Sequence, residues 1–160
     1  MLEIKEVTKT YNSKGISYPV LKGVTATIPD GSFVAVMGPS GSGKTTLLHC
    51  LSGFITADSG AVLLDGQDIL TGNETTLAEI RQHKLGFVFQ DFMLLNGLTI
   101  QENIFLPQII AGKSQQKMEK NTNHLLSMFH IEDIANKYPA EVSGGQKQRA
   151  SIARALSNNP

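Results

Sequence analysis

The chain has 160 residues, enough for one domain with a sizeable core. Hydrophobic residues make up 41% and charged residues 18%, which excludes overall disorder, and 14 Lys+Arg balance 14 Asp+Glu, so there is no basic excess of the kind a dedicated nucleic-acid binder carries. A lone cysteine, Cys50, excludes an intramolecular disulfide framework and a Cys-rich zinc site and fits a reducing compartment.

No apolar run reaches the ~18 residues of a spanning helix. The start, Met1-Leu2-Glu3-Ile4-Lys5-Glu6, does not read as a signal peptide. Residues 2–8 and 20–28 show strand-like alternation, with Asn12-Ser13-Lys14-Gly15 as a loop between them. Pro29-Asp30-Gly31 is a turn. Phe33-Val34-Ala35-Val36-Met37 is wholly apolar, the pattern of a strand covered on both faces. A glycine-rich stretch follows at 38–43, then a helix over 44–51 with Gly53 just past its end.

Residues 61–64 read as a strand and Asp65-Gly66 as a hairpin turn. Residues 74–83 look helical, and 85–89 read as a second buried strand that ends at Gln90. Beyond it the period becomes helical. Thr99-Ile100-Gln101-Glu102 is a capping box opening a helix, which Pro107 should kink or end. Met118, Leu125, Leu126 and Phe129 share one face of the next helix. Three regions are expected: a core with a β subdomain over 1–90, a helical subdomain over 91–142, and a turn and helix over 143–160.

Gly38-Pro39-Ser40-Gly41-Ser42-Gly43-Lys44-Thr45 matches the phosphate-binding pattern G-x-x-x-x-G-K-[ST], in the required setting of apolar run before and helix after. The glycines let backbone N–H groups close on phosphate oxygens, and the helix start adds unpaired N–H groups and a positive dipole end. Lys44 reaches the β- and γ-phosphates and the Thr45 hydroxyl suits Mg²⁺. Thr46 continues the first helical turn.

Val142-Ser143-Gly144-Gly145-Gln146 follows at a distance. Alone it is a helix-entry turn with Ser143 as N-cap. Together with the phosphate loop it resembles the nucleotide-binding domain of ABC (ATP-binding cassette) ATPases. Gln90 falls where that family has its Q-loop, Tyr11 where it has the aromatic that stacks on adenine, and residues 142–149 resemble its signature, with Val142 in place of the usual Leu. The resemblance covers the whole chain. It implies an α/β fold: a P-loop NTPase core, an N-terminal antiparallel β subdomain and a helical insertion subdomain.

The resemblance further implies an ATP hydrolase using ATP and Mg²⁺. Lys44 and Gln90 would be catalytic, Thr45 and Gln90 would be metal-directed, and Tyr11 with residues 38–46 would hold the nucleotide. Ser143, Gly144, Gly145 and Gln146 would act on the ATP of a second, head-to-tail domain. The family continues with an apolar strand ending in Asp-Glu (Walker B) and a switch His, which these residues do not contain. The chain is therefore expected to be an N-terminal fragment, inactive in hydrolysis by itself. Residues 87–95 and Glu102-Asn103-Ile104 resemble the subgroup serving lipoprotein release, macrolide export and antimicrobial-peptide resistance. That subgroup implies a transmembrane permease as partner, no nucleic acid, and a peripheral place on the cytoplasmic face of the membrane. The alternative is a soluble ABC ATPase acting on ribosomes or DNA, and the missing sequence could hold the second domain of the ribosomal type.

Other residues read more plainly. Tyr18 is placed in a loop, less suited than Tyr11 to receive a base. Cys50 is a core filler among Leu47, Leu48 and Leu51. Lys137, Lys147, Arg149 and Arg154 make a solvated basic face. The histidines His49, His83, His124 and His130 all precede the signature.

Overall fold

The computed structural model describes residues 1–160 and separates them into two units, Met1–Ala78 and Glu79–Pro160. The first is built on an antiparallel hairpin of β1 (Leu2–Ser13) and β2 (Ile16–Ile28). Lys14 and Gly15 turn the chain with φ of 50° and 78°, the left-handed pair that matches strand twist in a two-residue hairpin loop. The ladder therefore runs to Ser13 paired with Ile16, and the loop is narrower than residues 12–15.

β3 (Ser59–Leu64) pairs with the other edge of β1, and β4 (Gln67–Asp68) folds back on β3 through Asp65-Gly66, giving the order β2-β1-β3-β4. Ile4 and Val7 are three apart, so regular alternation would send them to opposite faces. Both are buried. A bulge between them, with Glu6 at φ 48°, accompanies this change of phase. Gly60 accommodates the bulge: a Cβ there would lie 2.5 Å from the carbonyl oxygens of both Lys5 and Glu6. Ile4, Val7, Leu21, Cys50, Val62 and Ile69 are the buried apolar residues of this unit, each large one contributing about 1.5–3 kcal/mol. The short helix α1 (Lys44–Leu51) follows the glycine-rich loop, as expected.

α2 (Glu74–Lys84) contains the division point. The second unit is helical: α3 (Ile100–Ile110), α4 (Gln115–Met128) and α5 (Gly144–Leu156), with 3₁₀ turns at Glu132–Ile134 and Pro139–Glu141. Thr99 caps α3 reciprocally with Glu102. Pro107 does not end α3, which runs on to Ile110. Packing holds the helix past the missing N–H: Gln108 is fully buried, and its Nε2 donates to the Ile104 carbonyl and to Thr122 Oγ1 at 3.2 and 2.9 Å. Ile100, Ile104, Leu125, Leu126, Ile131 and Ile134 form the core of this unit with Val142, Ala150 and Ala153.

The antiparallel β subdomain and the helical subdomain of the expected α/β fold are both present. The two apolar runs differ from expectation. Residues 33–37 and 85–89 belong to no ladder. In the first, Phe33 is 99% and Met37 88% exposed. In the second, residues alternate between half-buried and exposed. Apolar composition states that a segment favours cover on both faces, while a strand also needs hydrogen-bonding neighbours in a ladder, and neither run belongs to the one sheet.

Candidate functional site

The phosphate loop leads into α1 through Gly43, the N-cap, at φ 91°. Only glycine fits there, since a Cβ would sit 2.8 Å from Val20 Cγ1 in a backbone conformation L-residues avoid. No side chain caps α1 and its first turn carries no acid. Its leading N–H groups and dipole end thus remain available to an anion. Lys44 Nζ donates to the carbonyl oxygens of Gly38 and Pro39 at 2.9 and 2.8 Å, so the ammonium is folded back over the loop. Pro39, Ser40, Gly41, Ser42 and Thr45 are exposed, and Thr46 is half-buried.

Tyr11 lies on β1 in the same unit, half exposed. Its cross-strand partner is Tyr18, which sits in β2 and not in a loop. The hairpin stays regular to its tip, and this corrects the placement of Tyr18. Two residues along β2, Val20 touches the Cα side of Gly43, which brings this part of the hairpin beside the phosphate loop. Lys9 Nζ lies 5.8 Å from the Tyr11 ring centroid and donates to the Thr56 carbonyl at 2.7 Å and to Asp58 Oδ1 at 3.0 Å. The Thr10 N–H donates to Asp58 Oδ2. The Lys9 hydrogen bond, then that from Thr10, holds the Asp58 carboxyl below the ordinary aspartate range.

In the second unit Gln90 is exposed on a tight turn. The Phe92 N–H donates to the Phe89 carbonyl at 3.2 Å and the Met93 N–H to the Asp91 carbonyl at 2.6 Å. Phe92 and Met93 have φ of 60° and 47°, a conformation costing about 1–2 kcal/mol per non-glycine residue. Their two carbonyls accept from the guanidinium of Arg154 on α5, that of Phe92 at 2.8 Å. Arg154 is therefore not part of a solvated basic face. It is half-buried, and burial lowers its pKa. A signal for this was present: Arg154 lies four residues from buried Ala150, on the same side of the helix. Asn103, fully buried, donates to the carbonyls of Leu95, Leu98 and Thr99 and accepts from the Leu95 N–H at 2.7 Å.

Ser143 caps α5: the Gln146 N–H donates to Ser143 Oγ at 3.3 Å and the Ser143 N–H to Gln146 Oε1 at 2.9 Å. The hydroxyl proton of Ser143 is left to donate elsewhere. Gly144 and Gly145 are exposed, and a Cβ on either would meet nothing within 4 Å. Val142 is 8% exposed in the core and anchors the turn. The first unit thus gathers Tyr11 and the phosphate loop. The second gathers Gln90 and the Ser143–Gln146 turn, joined through Arg154.

No group of three or more His, Cys, Asp or Glu could hold a metal, and no helix is long and apolar enough to cross a membrane. Thr45 and Gln90 offer neutral oxygens only. A neutral oxygen of either kind fits Mg²⁺ that arrives on phosphate oxygens, since Mg²⁺ is commonly bound through substrate phosphates with few protein ligands.

The sequence model of the ABC transporter family matches residues 21–160. The ABC transporter ATP-binding protein YxdL of Bacillus subtilis is 48% identical over 160 residues, covering 100% of this chain and 62% of YxdL. The lipoprotein-releasing system ATP-binding protein LolD of Porphyromonas gingivalis is 42% identical, covering 100% of this chain and 71% of LolD. Among solved structures, a dimeric post-hydrolysis state of the ATP-binding cassette MJ0796 bound to ADP and Pi matches with TM-score 0.94 at 41% identity, over 100% of this chain and 71% of that one. The chain thus spans about two thirds of the length of these relatives.

Proposed function

The chain belongs to the ABC transporter family, and from that premise we propose that it binds MgATP as part of the ATP-binding subunit of a transporter. One observation carries the reading most directly: Lys44 Nζ rests on the carbonyls of Gly38 and Pro39 beside an uncapped, acid-free helix start. An ammonium held by neutral carbonyls is ready to exchange them for phosphate oxygens, which bind it more strongly.

Each residue then has a task. Residues 38–46 wrap the phosphates with backbone N–H groups, and Lys44 neutralises the β- and γ-oxygens. Thr45 and Gln90 give oxygens to the Mg²⁺ carried on the nucleotide. Tyr11 stacks on the base. Ser143, Gly144, Gly145 and Gln146 present a second helix start with no acid in its first turn. That anion site serves the γ-phosphate held by another copy, in a head-to-tail dimer. The working regions are 1–90 for the nucleotide, 91–142 for docking on a transmembrane permease, and 143–160 for the partner's ATP.

Hydrolysis by the complete subunit, at the cytoplasmic face of the membrane, drives transport. Similarity to transporter ATP-binding proteins, a lipoprotein-releasing subunit among them, supports a transport role over a soluble factor on ribosomes or DNA, and both export and import subunits are among the relatives. The binding step is tested by titrating a fluorescent ATP analogue into wild type and Lys44→Ala with Mg²⁺ present. Equal affinity would reject the nucleotide site. The transporter reading is tested by expressing the protein with and without a transmembrane permease and following its recovery in the membrane fraction. Membrane recruitment independent of that permease would reject it.

A further inference from the structure

Arg154 commits a half-buried charge to backbone. Its partners are the carbonyls of Phe92 and Met93, and no carboxylate pairs with it. Withdrawing a guanidinium from water is costly unless its donors find well-aligned acceptors. Here the acceptors are two successive carbonyls, on residues that both have positive φ although neither is Gly, Asn or Asp. Such backbone persists only where the surroundings over-determine it. Arg154 supplies that constraint from 61 residues away in sequence. The Phe92-to-Phe89 hydrogen bond closes the turn around Gln90, and Asn103 fixes the chain again from Leu95.

The geometry points to Arg154 as the positioning residue for Gln90: by holding the Phe92 and Met93 carbonyls on α5, it sets the turn that carries Gln90. Arg154 itself touches neither nucleotide nor metal. A guanidinium is suited to this because its planar fork serves two acceptors at once, where the single ammonium of lysine has no fixed fork. The same clamp ties the turn to the helix that begins at Ser143. The inference rests on the reading of Gln90 as a metal-directed residue.

The test measures affinity for a fluorescent ATP analogue, with Mg²⁺ and with EDTA, in wild type, Gln90→Ala, Arg154→Ala and Arg154→Lys. Amide hydrogen exchange is followed in the same proteins. Without Mg²⁺ all four should bind alike. With Mg²⁺ wild type gains affinity, and Gln90→Ala and Arg154→Ala should forfeit about tenfold of that gain, the usual effect of losing a metal-directed ligand or the group that orients it. Arg154→Lys should fall between. Exchange over residues 91–95 should quicken in Arg154→Ala while Ala150 and Ala153 stay protected.

If Gln90→Ala loses the gain and Arg154→Ala keeps it, the inference alone is overturned. If Gln90→Ala keeps the gain, the metal-directed reading of Gln90 falls and the inference with it. Weaker binding in Arg154→Ala even without Mg²⁺ would mark a general folding role and overturn the inference. Should Arg154→Ala unprotect α5, Arg154→Lys decides: a full gain with α5 protected overturns the inference, and a reduced gain supports it.

Discussion

Tyr11 and Tyr18 are Cα partners across the β1–β2 ladder, 43% and 49% exposed. The hairpin therefore offers two aromatic rings beside the phosphate loop. If Tyr11 carries the stacking, Tyr11→Ala should cost ~1–3 kcal/mol of ATP binding and Tyr11→Phe little, because stacking uses the ring face. Tyr18→Ala should cost less than Tyr11→Ala. GTP should bind about as well as ATP, since no hydrogen-bonding edge is read. Calorimetry on the three variants with both nucleotides separates the rings, and a larger loss from Tyr18→Ala would move the base to that residue.

Features with local chemistry were legible in the sequence. The phosphate loop, the Asp65-Gly66 turn, the Thr99 capping box, the Ser143 N-cap and the helices after them need only neighbours within four residues. Features that depend on distant partners were not. Residues 33–37 and 85–89 have the composition of buried strands, yet a ladder is a relation to another segment, and neither run is in the sheet. Pro107 reads as a helix breaker until the buried Gln108–Thr122 contact is seen. Arg154 reads as a surface charge until the positive φ of Phe92 and Met93 aims two carbonyls at it. Tyr18 reads as a loop residue until the ladder is seen to run on to Ser13 and Ile16.

Lys44 should be the main affinity residue for the triphosphate. A hydrogen bond to a charged group contributes ~1.5–3 kcal/mol, so Lys44→Ala should weaken binding roughly 10–100-fold at 1.4 kcal/mol per decade. The fold should hardly notice, because Nζ bonds only to loop carbonyls that solvent can satisfy. Thermal melts should overlay while the binding isotherms separate. Overlaying isotherms would remove Lys44 from the site.

Asp58 makes stability depend on pH with a definite sign. Its folded pKa is lowered by Lys9 and the Thr10 N–H. The stabilisation is thus fully present above the unfolded aspartate pKa of about 4 and is lost as pH falls below it through the folded value. Asp58→Asn should melt lower than wild type at neutral pH, and the gap should shrink under acid. Glu102 and Glu132 also have lowered pKa values, but they titrate alike in both proteins and cancel in the difference. A gap that widens in acid would contradict the assignment.

Gly145→Asp should separate binding from dimerisation. A Cβ at Gly145 meets nothing within 4 Å, so the substitution has room and α5 should keep its stability. A carboxylate at that helix start would occupy the place proposed for the partner's γ-phosphate. In the complete subunit, monomer ATP affinity should be unchanged while ATP-driven dimers disappear in sedimentation. Mixing Lys44→Ala with Gly145→Asp subunits should restore one composite site. Loss of monomer binding in Gly145→Asp would defeat the head-to-tail arrangement.

The 160 residues should bind nucleotide weakly and not hydrolyse it. Hydrolysis needs a water positioned in line with the γ-phosphate, and general-base help typically contributes ~10²–10⁴-fold. Thr45 and Gln90 are neutral, and no cluster of acidic or histidine side chains stands ready to hold the metal. The same chain should also self-associate, because Phe33 is 99% and Met37 88% exposed in a run without a ladder partner. An apolar, unpaired segment of this kind is an aggregation template. Phosphate release, binding of an apolar dye and light scattering should be compared with those of a chain extended over the full length of its relatives. The short chain should release no phosphate above background, bind the dye and scatter more as concentration rises. Phe33→Ser with Met37→Ser should lower the scattering without altering ATP affinity. Lys44-dependent turnover by the 160 residues alone would show that the hydrolytic groups are already among them.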